Sequence, residues 1–427
     1  MISLVLFGLF TVLLFLSVPI AISLGLASTA ALMISGKVGI NFIPQGLVTA
    51  IDSFPLMAVP FFILSGDLMG HGGLSQRLLN VGRIFFGRYS GGLAIIAVAT
   101  CVFFAAISGS GPATVAAIGA ILFPAMVREG YRPSFSAGLV ASAGSLGVII
   151  PPSIPMVIYA TSANVSVTKM FMAGVIPGLL IGGALVVYAW WQSRKDGQKP
   201  QMEKISTREA LAILWDAKWA LLVPVIILGG IYGGVFTPTE AAAIGVLYGL
   251  VVGMFIYREL KFSALYKIFA NAALTTATIM LIVGTATVFG RVLAIERIPM
   301  MLADAITAAV DSPWVLLLLL NVLLLVIGTF METLAAIIIM TPILLPLVIA
   351  LGISPEHFGI VMIVNLAIGM VTPPVGVNLF VASRVAGVSL TEVIRGGLKP
   401  LAVLMMVLIL LTYVPQLSLW LPSLFGM

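Results

Sequence analysis

Two short polar clusters interrupt apolar stretches of this sequence, and both offer oxygen ligands for a cation. The run Ser108–Pro112 contains two serine hydroxyls, and the run Gly328–Thr333 contains two threonine hydroxyls and the carboxylate of Glu332. Each cluster is followed by two adjacent prolines, Pro151-Pro152 and Pro373-Pro374. Because proline lacks an N–H group, a proline pair leaves upstream carbonyls without helical partners. Free carbonyls and hydroxyls at membrane depth suit a hard cation such as Na⁺, and the N-terminus of the next half-helix can face an anion.

The spacing of these prolines indicates that the sequence contains two copies of one unit. Pro373 follows Pro151 by 222 residues, and Pro346 follows Pro124 by the same distance. A single proline pair could be only a packing kink, since proline and glycine are common in transmembrane helices. Two matched pairs, each after a polar cluster, instead favour a secondary transporter, in which broken helices of two repeats form the binding site.

The composition predicts an all-α integral membrane protein. Of the 427 residues, 61% are hydrophobic and 8% are charged, and the mean hydropathy is +1.21. Soluble domains carry about 25% charged residues, so this chain cannot cover a surface that faces water. The length permits about ten or more segments that cross the ~30 Å hydrocarbon layer or re-enter it. The first residues, Met1–Leu4, lack a basic signal-peptide region, so we expect a retained first span.

Catalytic chemistry is not indicated by the sequence. The single Cys101 excludes a disulfide framework and a thiolate metal site. The two histidines, His71 and His357, are too few for a metal centre or a catalytic triad. There are no paired aspartates of protease type, and Ser108 has no candidate base nearby. We therefore predict that the protein is not an enzyme, and that its net charge of +6 reflects membrane topology, with no nucleic acid as partner.

The distribution of lysine and arginine predicts that the two repeats have opposite orientations. The basic segment 192–218 is expected to be a cytoplasmic linker. In the first half a basic loop precedes the broken helix, at Arg128–Arg132, whereas in the second half a basic loop follows it, at Ser383–Lys399. Since lysine and arginine mark the cytoplasmic side, this exchange predicts repeats of inverted topology.

Each polar cluster is predicted to form the tip of a re-entrant helical hairpin, because a hairpin satisfies the backbone groups that lipid cannot. Basic residues flank the first hairpin, and Asp304 and Asp311 precede the second, so the two tips are expected to enter from opposite sides. The predicted layout is an N-terminal span and interfacial segment (1–51), repeat 1 (52–191) with hairpin 91–127 and broken helix 134–160, the linker (192–218), scaffold spans (219–267), and repeat 2 (268–427) with hairpin 313–350 and broken helix 358–383.

Four other acidic or basic side chains each allow two interpretations. Glu332 and Asp67 lie in apolar runs, where a carboxylate is a functional candidate by default. Each could instead be a structural partner of a backbone N–H group or an arginine. Glu240 follows Thr237 at a predicted helix start, which favours a capping role. Arg291 is expected in an interfacial ion-pair group, although it could also meet an anionic substrate.

Four motifs resemble the large membrane subunit of TRAP transporters, of the DctM type, within the wider ion transporter superfamily. They are Ser108–Pro112, Gly147–Ser153, Gly233–Ala243 and Met370–Asn378, and the likeness extends over essentially the whole chain. The resemblance implies a Na⁺-driven, binding-protein-dependent importer of organic acids in the bacterial inner membrane. It implies an elevator mechanism and no organic cofactor.

The resemblance also implies two protein partners, a periplasmic substrate-binding protein and a small four-span membrane subunit. Some members of the family carry the small subunit in the same chain as the large one. This chain starts directly with the large-subunit pattern, so we expect a separate small subunit.

Carried over to this sequence, the resemblance places Na⁺ near the hairpin tips and the broken helices, with the substrate between the tips. In the first half the implied Na⁺ residues are Ser108, Ser110, Gly144, Ser145, Gly147 and Ile150. In the second half they are Gly328, Thr329, Glu332, Gly369 and Thr372. The implied substrate-binding residues are Gly109, Pro112, Pro152, Ser153, Pro374 and Asn378.

The sequence leaves the substrate open. Sialic acid, a C4-dicarboxylate and a keto acid each fit a site lined by small and apolar residues. A second hypothesis is a self-sufficient Na⁺/organic anion transporter of related fold that needs no binding protein.

Overall fold

The computed structural model describes residues 2–198, 205–301 and 312–426, and every regular element within these ranges is helical. Nine helices of the described residues are long and apolar enough to cross a membrane, and a bent helix pair makes a tenth. The prediction of an all-α membrane protein is thus confirmed. Within the predicted linker, residues 199–204 lie outside the described ranges, as do Asp304 and Asp311.

The first five helices precede the first polar cluster. They are α1 (Ile2–Phe15), α2 (Ile20–Ser35), α3 (Phe42–Ile51), α4 (Ala58–His71) and α5 (Leu74–Phe86), and a 3₁₀ turn (Phe54–Met57) leads into α4. Helices α1 and α2 pack against each other. Many of their outward side chains are large and apolar, for example Phe15 at 86% exposure. Such side chains suit contact with lipid tails.

The first polar cluster forms the turn of a helical hairpin. Its arms are α6 (Gly92–Ser108) and α7 (Gly111–Arg128), which pack against each other. The left-handed φ of +61° at Gly109 ends α6, a conformation that glycine adopts without steric cost. Pro112 lies in the first turn of α7, where its missing N–H group costs nothing. We call Gly109-Ser110 the first turn.

The first diproline breaks the next helix, as the sequence predicts. Helices α8 (Pro133–Gly144) and α9 (Leu146–Ile149) run up to it, and α10 (Ile154–Ala163) continues at an angle of 42°. We call residues 150–153 the first break; its Pro151-Pro152 peptide bond is cis. The long helix α11 (Val167–Lys195) follows.

The middle of the chain contributes three helices. They are α12 (Thr207–Tyr232), α13 (Pro238–Val251), which continues into a π-helical turn (Val252–Ile256), and α14 (Phe262–Ile295). Helix α13 packs along α4, and α14 packs against α2, α3 and α4. The ends of the predicted linker are helical, because α11 extends to Lys195 and α12 begins at Thr207. Helix α14 also runs across the boundary predicted at residues 267 and 268.

The second half repeats the order of the first. A hairpin of α15 (Pro313–Phe330) and α16 (Thr333–Ala350) is followed by α17 (Pro355–Gly369) and α18 (Val377–Ala386), then by α19 (Leu390–Tyr413) and α20 (Gln416–Leu424). Helices α7 and α16 begin 222 residues apart, and so do α8 and α17. We call Met331-Glu332 the second turn and residues 370–376 the second break; its Pro373-Pro374 bond is also cis.

The two halves interlock at their broken helices. Helix α7 packs against α18 of the other half, and α16 packs reciprocally against α10. Helices α8 and α19 cross closely, since a methyl group on Gly138 would overlap the backbone of Gly396. The Tyr159 hydroxyl donates a hydrogen bond to the Pro355 carbonyl at 2.6 Å, and Lys169 pairs with Glu356 at 2.7 Å. The site regions of both halves therefore share one core.

Candidate functional site

The two turns and the two breaks surround one cavity of about 540 Å³. Helices α4 and α14 complete its wall, with Ile279 and Ile282 of α14 forming an apolar side. Helix α4 approaches the first turn closely, since a methyl group on Gly66 would lie 3.1 Å from the Ser108 Cα atom. The polar side chains in the wall are those of Asp67, Ser108, Ser110, Thr275, Thr278, Glu332 and Thr333.

The charges in this wall are negative. Asp67 and Glu332 line the cavity, and no lysine, arginine or histidine of the described residues does so. A cation entering the cavity is attracted by both carboxylates, whereas an organic anion is repelled unless a cation or a helix N-terminus offsets them. The cavity is therefore suited to an anion only when it also holds a cation.

The first turn is held by a small network of hydroxyls. The Ser108 and Thr114 side chains lie 2.9 Å apart, oxygen to oxygen. The Thr114 hydroxyl also contacts the Ser110 carbonyl at 2.8 Å. Ser110 is the N-cap residue of α7, yet its own side chain makes no capping bond. Its hydroxyl, in the cavity wall, thus remains available to a ligand.

The first break packs directly under the first turn. A methyl group on Gly147 would overlap the Ser110 carbonyl oxygen and would lie 2.6 Å from the Thr114 hydroxyl. Pro151 and Pro152 have no N–H group, so the carbonyls of Gly147 and Val148 lose their usual helical donors. The Ser153 hydroxyl donates to the Val148 carbonyl at 2.6 Å. The carbonyl of Gly147 is left beside the turn as an oxygen ligand for a cation.

The second turn places a carboxylate where the first has a hydroxyl. Glu332 is the N-cap residue of α16, 222 residues after Ser110. Its Oε2 atom accepts hydrogen bonds from the N–H groups of Leu334 at 2.9 Å and Ala335 at 3.2 Å. The side chain is nevertheless exposed to the cavity. Glu332 therefore combines the structural role weighed for it, as a partner of backbone N–H groups, with access to a ligand.

The second break packs against its hairpin through two glycines. A methyl group on Gly369 would lie 2.6 Å from the Gly328 carbonyl oxygen. The Met370 carbonyl, which lacks a helical donor because of Pro374, accepts a hydrogen bond from the Asn378 N–H group at 3.0 Å. The Thr372 hydroxyl donates to the Ile368 carbonyl of its own helix at 2.8 Å. The backbone contact of Gly328 with Gly369 corresponds to that of Ser110 with Gly147.

The predicted site residues fall into two groups. Those in the cavity wall are Ser108, Gly109, Ser110, Pro112 and Glu332. The other predicted ion residues lie behind the turns, within or beside the breaks, and are Gly144, Ser145, Gly147, Ile150, Gly328, Thr329, Gly369 and Thr372. Four predicted substrate residues do not line the cavity and are Pro152, Ser153, Pro374 and Asn378.

Local bonding accounts for two residues of the last group. The Ser153 hydroxyl is buried and caps α10, where it accepts from the Met156 N–H group at 3.4 Å. The Asn378 side chain is fully buried and its amide nitrogen donates to the Ala141 carbonyl at 3.3 Å.

Four cavity-lining or turn residues are absent from the predicted site. Thr114 bonds within the first turn, and Asp67, Thr275 and Thr278 belong to α4 and α14. The position of Thr114, one helical turn after Ser110, is a signal that the sequence contains. Asp67 carries the signal of an intramembrane carboxylate, for which a function and a structural role were weighed evenly. Neither threonine of α14 has a local signal, because only tertiary packing brings that helix to the cavity.

The remaining weighed side chains have structural contacts. Glu240 and Thr237 form a reciprocal capping box at the start of α13, so the capping interpretation is confirmed. Arg291 donates to the Thr49 hydroxyl at 3.3 Å and does not line the cavity. Glu296 pairs with Lys37 at 2.9 Å.

Comparisons with known proteins agree with this architecture. Residues 7–417 match the family model of the tripartite ATP-independent periplasmic transporter, DctM component. The isethionate TRAP transporter permease protein DctMQ of Oleidesulfovibrio alaskensis is 51% identical over 416 residues, which are 97% of this chain and 66% of that protein. The C4-dicarboxylate TRAP transporter large permease protein DctM of Pseudomonas aeruginosa is 46% identical over 405 residues, 95% of each chain.

A solved structure supports the fold. The Alcanivorax borkumensis YdaH transporter superposes with a TM-score of 0.65 at 19% identity, over 90% of this chain and 89% of that one. The relatives are transport permeases, which confirms the prediction that the chain is not an enzyme. The chain belongs to the DctM component family of the tripartite ATP-independent periplasmic transporters.

Proposed function

We propose that this chain is the large permease subunit of a Na⁺-coupled TRAP transporter that imports a small organic acid. The observation that carries the proposal is the cavity between the two turns, whose wall contains Asp67 and Glu332. An organic anion can enter such a cavity only with compensating cations, so cation and anion binding become interdependent. Interdependent binding of this kind is what a symporter requires.

The broken helices support Na⁺ as the coupling ion. In secondary transporters, unwound carbonyls and half-helix ends coordinate Na⁺ near the membrane midplane. Here the carbonyls of Gly147 and Ser110 converge at the first turn, and the backbone of Gly328 meets Gly369 at the second. We propose one Na⁺ site at each of these places.

The proposed movement is an elevator motion of two inverted repeats. Its support is the reciprocal packing of α7 on α18 and of α16 on α10, together with the opposite charge bias of the loops around the two hairpins. These contacts join both hairpins and both broken helices into one body. In this proposal that body moves as a unit against α1–α4 and α12–α14.

The proposed partners are a substrate-binding protein and a small membrane subunit, in the bacterial inner membrane. A TRAP relative that combines both membrane parts in its name, DctMQ, is half identical to this chain and is longer. Isethionate and C4-dicarboxylates, named for two relatives, have in common a small skeleton with at least one strong acid group. We propose a substrate of this class, a carboxylate or a sulfonate.

Uptake by the reconstituted system tests this proposal. The ligand is first identified by thermal-shift screening of the cognate binding protein against carboxylates and sulfonates. Proteoliposomes with both membrane subunits should then accumulate that ligand only with an inward Na⁺ gradient and with the binding protein present. Accumulation that persists when K⁺ replaces Na⁺ would contradict the coupling. Accumulation without the binding protein would support the self-sufficient transporter instead.

A further inference from the structure

The side chain of Asn378 crosses from the second half of the molecule to the first ion-binding region. It belongs to α18, directly after the second break, and its backbone N–H group bonds back to the Met370 carbonyl. Its side chain, however, is fully buried against the first half, where the amide nitrogen donates to the Ala141 carbonyl at 3.3 Å. Asn378 thus connects the second break to α8.

The amide oxygen of Asn378 has no hydrogen-bond partner among the described residues. Buried side-chain oxygens are rarely left without one, because an unsatisfied group costs ~1–3 kcal/mol of desolvation. Exchanging the amide oxygen and nitrogen would not help, since it would place the oxygen against the Ala141 carbonyl. The oxygen therefore needs a cation or a donor that is not a protein group.

Other oxygens of the first turn and helix α8 surround the same place. A methyl group on Gly111 would lie 3.3 Å from the Gly144 carbonyl oxygen and 3.4 Å from the amide oxygen of Asn378. A methyl group on Gly144 would in turn lie 3.3 Å from the Gly111 carbonyl oxygen. The absence of side chains at both glycines lets these three oxygens approach one another. Carbonyl and asparagine oxygens are ligands that hard cations prefer.

We infer that the amide oxygen of Asn378 is a ligand of the Na⁺ ion bound at the first turn. This inference rests on the proposed function and adds to it a ligand from the opposite half of the chain. Na⁺ binding then requires that α18 sits against α7 and α8. Occupancy of the first site is thereby coupled to the position of the second break.

The Na⁺ dependence of thermal unfolding tests the inference without transport. The probe is NaCl, titrated at constant ionic strength against choline chloride, on the purified chain with its small subunit at pH 8. Asn378→Ala should raise the Na⁺ concentration for half-maximal stabilisation about tenfold, which corresponds to about 1.4 kcal/mol. Asn378→Asp should lower it at least threefold, because a carboxylate attracts Na⁺ more strongly than an amide does.

Asn321→Ala is the matched control. Asn321 is also a buried amide, but its nitrogen donates to the Thr412 hydroxyl at 2.8 Å and its oxygen accepts from Asn365 at 2.7 Å. This variant should keep the Na⁺ midpoint within twofold of wild type. A tenfold shift in Asn321→Ala as well would overturn the inference, because the effect would then follow from a buried amide in general.

The outcomes separate the inference from the proposed function. A wild-type protein whose stability responds to Na⁺, with the same midpoint in both Asn378 variants, would refute the ligand role and leave Na⁺ coupling intact; a water would then satisfy the amide oxygen. A wild-type protein that shows no response to Na⁺, in unfolding and in uptake, would refute the proposed coupling itself. Where Asn378→Ala does not fold, Asn378→Asp decides alone.

Discussion

The two hairpins share one backbone plan but differ in closure and charge. The arms α6 and α7 of the first hairpin pack against each other, whereas α15 and α16 of the second make little mutual contact. Every residue from 141 to 160 around the first break is buried, while Pro374 and Val375 in the second are exposed. The corresponding N-cap residues are Ser110 and Glu332.

This difference indicates distinct roles for the two halves. The first site has hydroxyls and carbonyls in a closed surrounding, so it can bind an ion only after removing most of its water. The second site has a carboxylate and an open surrounding, so its ligand can exchange with solvent in this conformation. Duplication thus supplies the same helix breaks twice, and side chains at matched positions give each break its own chemistry.

The largest expected effect comes from adding a methyl group at either glycine that contacts a turn. Gly147→Ala and Gly369→Ala should each reduce uptake at least 100-fold, because the new atom overlaps the backbone of Ser110 or Gly328. Gly183→Ala, in α11 with open space around it, should stay within twofold of wild type. Initial uptake rates in proteoliposomes measure this. A tolerated alanine at one of the two positions would break the equivalence of the halves.

Removing the charge at the second turn should have the next largest effect. Glu332→Gln should raise the Na⁺ concentration for half-maximal uptake about tenfold, since the carboxylate faces the cavity while the amide can still cap α16. Ser110→Ala, at the matched position, should raise it by about threefold because one neutral ligand is lost. Equal shifts in the two variants would remove the contrast between a charged and a neutral site. The assay is Na⁺-dependent uptake at saturating binding protein.

A smaller difference is expected between two threonines. Thr114→Val removes the hydroxyl that contacts Ser108 and the Ser110 carbonyl, and should lower the uptake rate about fivefold. Thr372→Val removes a hydroxyl that bonds only to the Ile368 carbonyl of its own helix, and should change the rate less than twofold. The opposite ranking would mean that the second site depends on this hydroxyl more than its present bonding indicates.

The smallest effect on transport should come from cysteine reporters of exposure. Val375→Cys at the open second break should react with a membrane-permeant maleimide at least tenfold faster than Ile149→Cys beside the buried first break. Cys101 is buried and should give little background in the wild-type chain. Mass spectrometry of the labelled protein measures the rates. Similar rates would show that the two breaks do not differ in closure.

Local sequence signals predicted the elements but not the neighbours that those elements meet. The prolines and glycines located both turns and both breaks, because they act on the backbone at their own position. The Asn378 contact with Ala141 joins residues 237 positions apart, and no local pattern encodes such a contact. The same reason applies to Thr275 and Thr278, which reach the cavity only through the packing of α14 on α4. The closed first and open second hairpin likewise follow from tertiary packing.

The interlocking of α10 with α16 has a consequence for biogenesis. Helix α10 is synthesised and inserted long before α16 exists, so its partner surface stays uncovered while about 170 further residues are made. Neither half can complete its core alone. Half-chains divided between α11 and α12 should be unstable when each is expressed singly and should recover together when both are present. The duplicated unit can thus have folded in its earliest form only as a pair, with a second copy of itself supplying what the linked chain now carries in its other half.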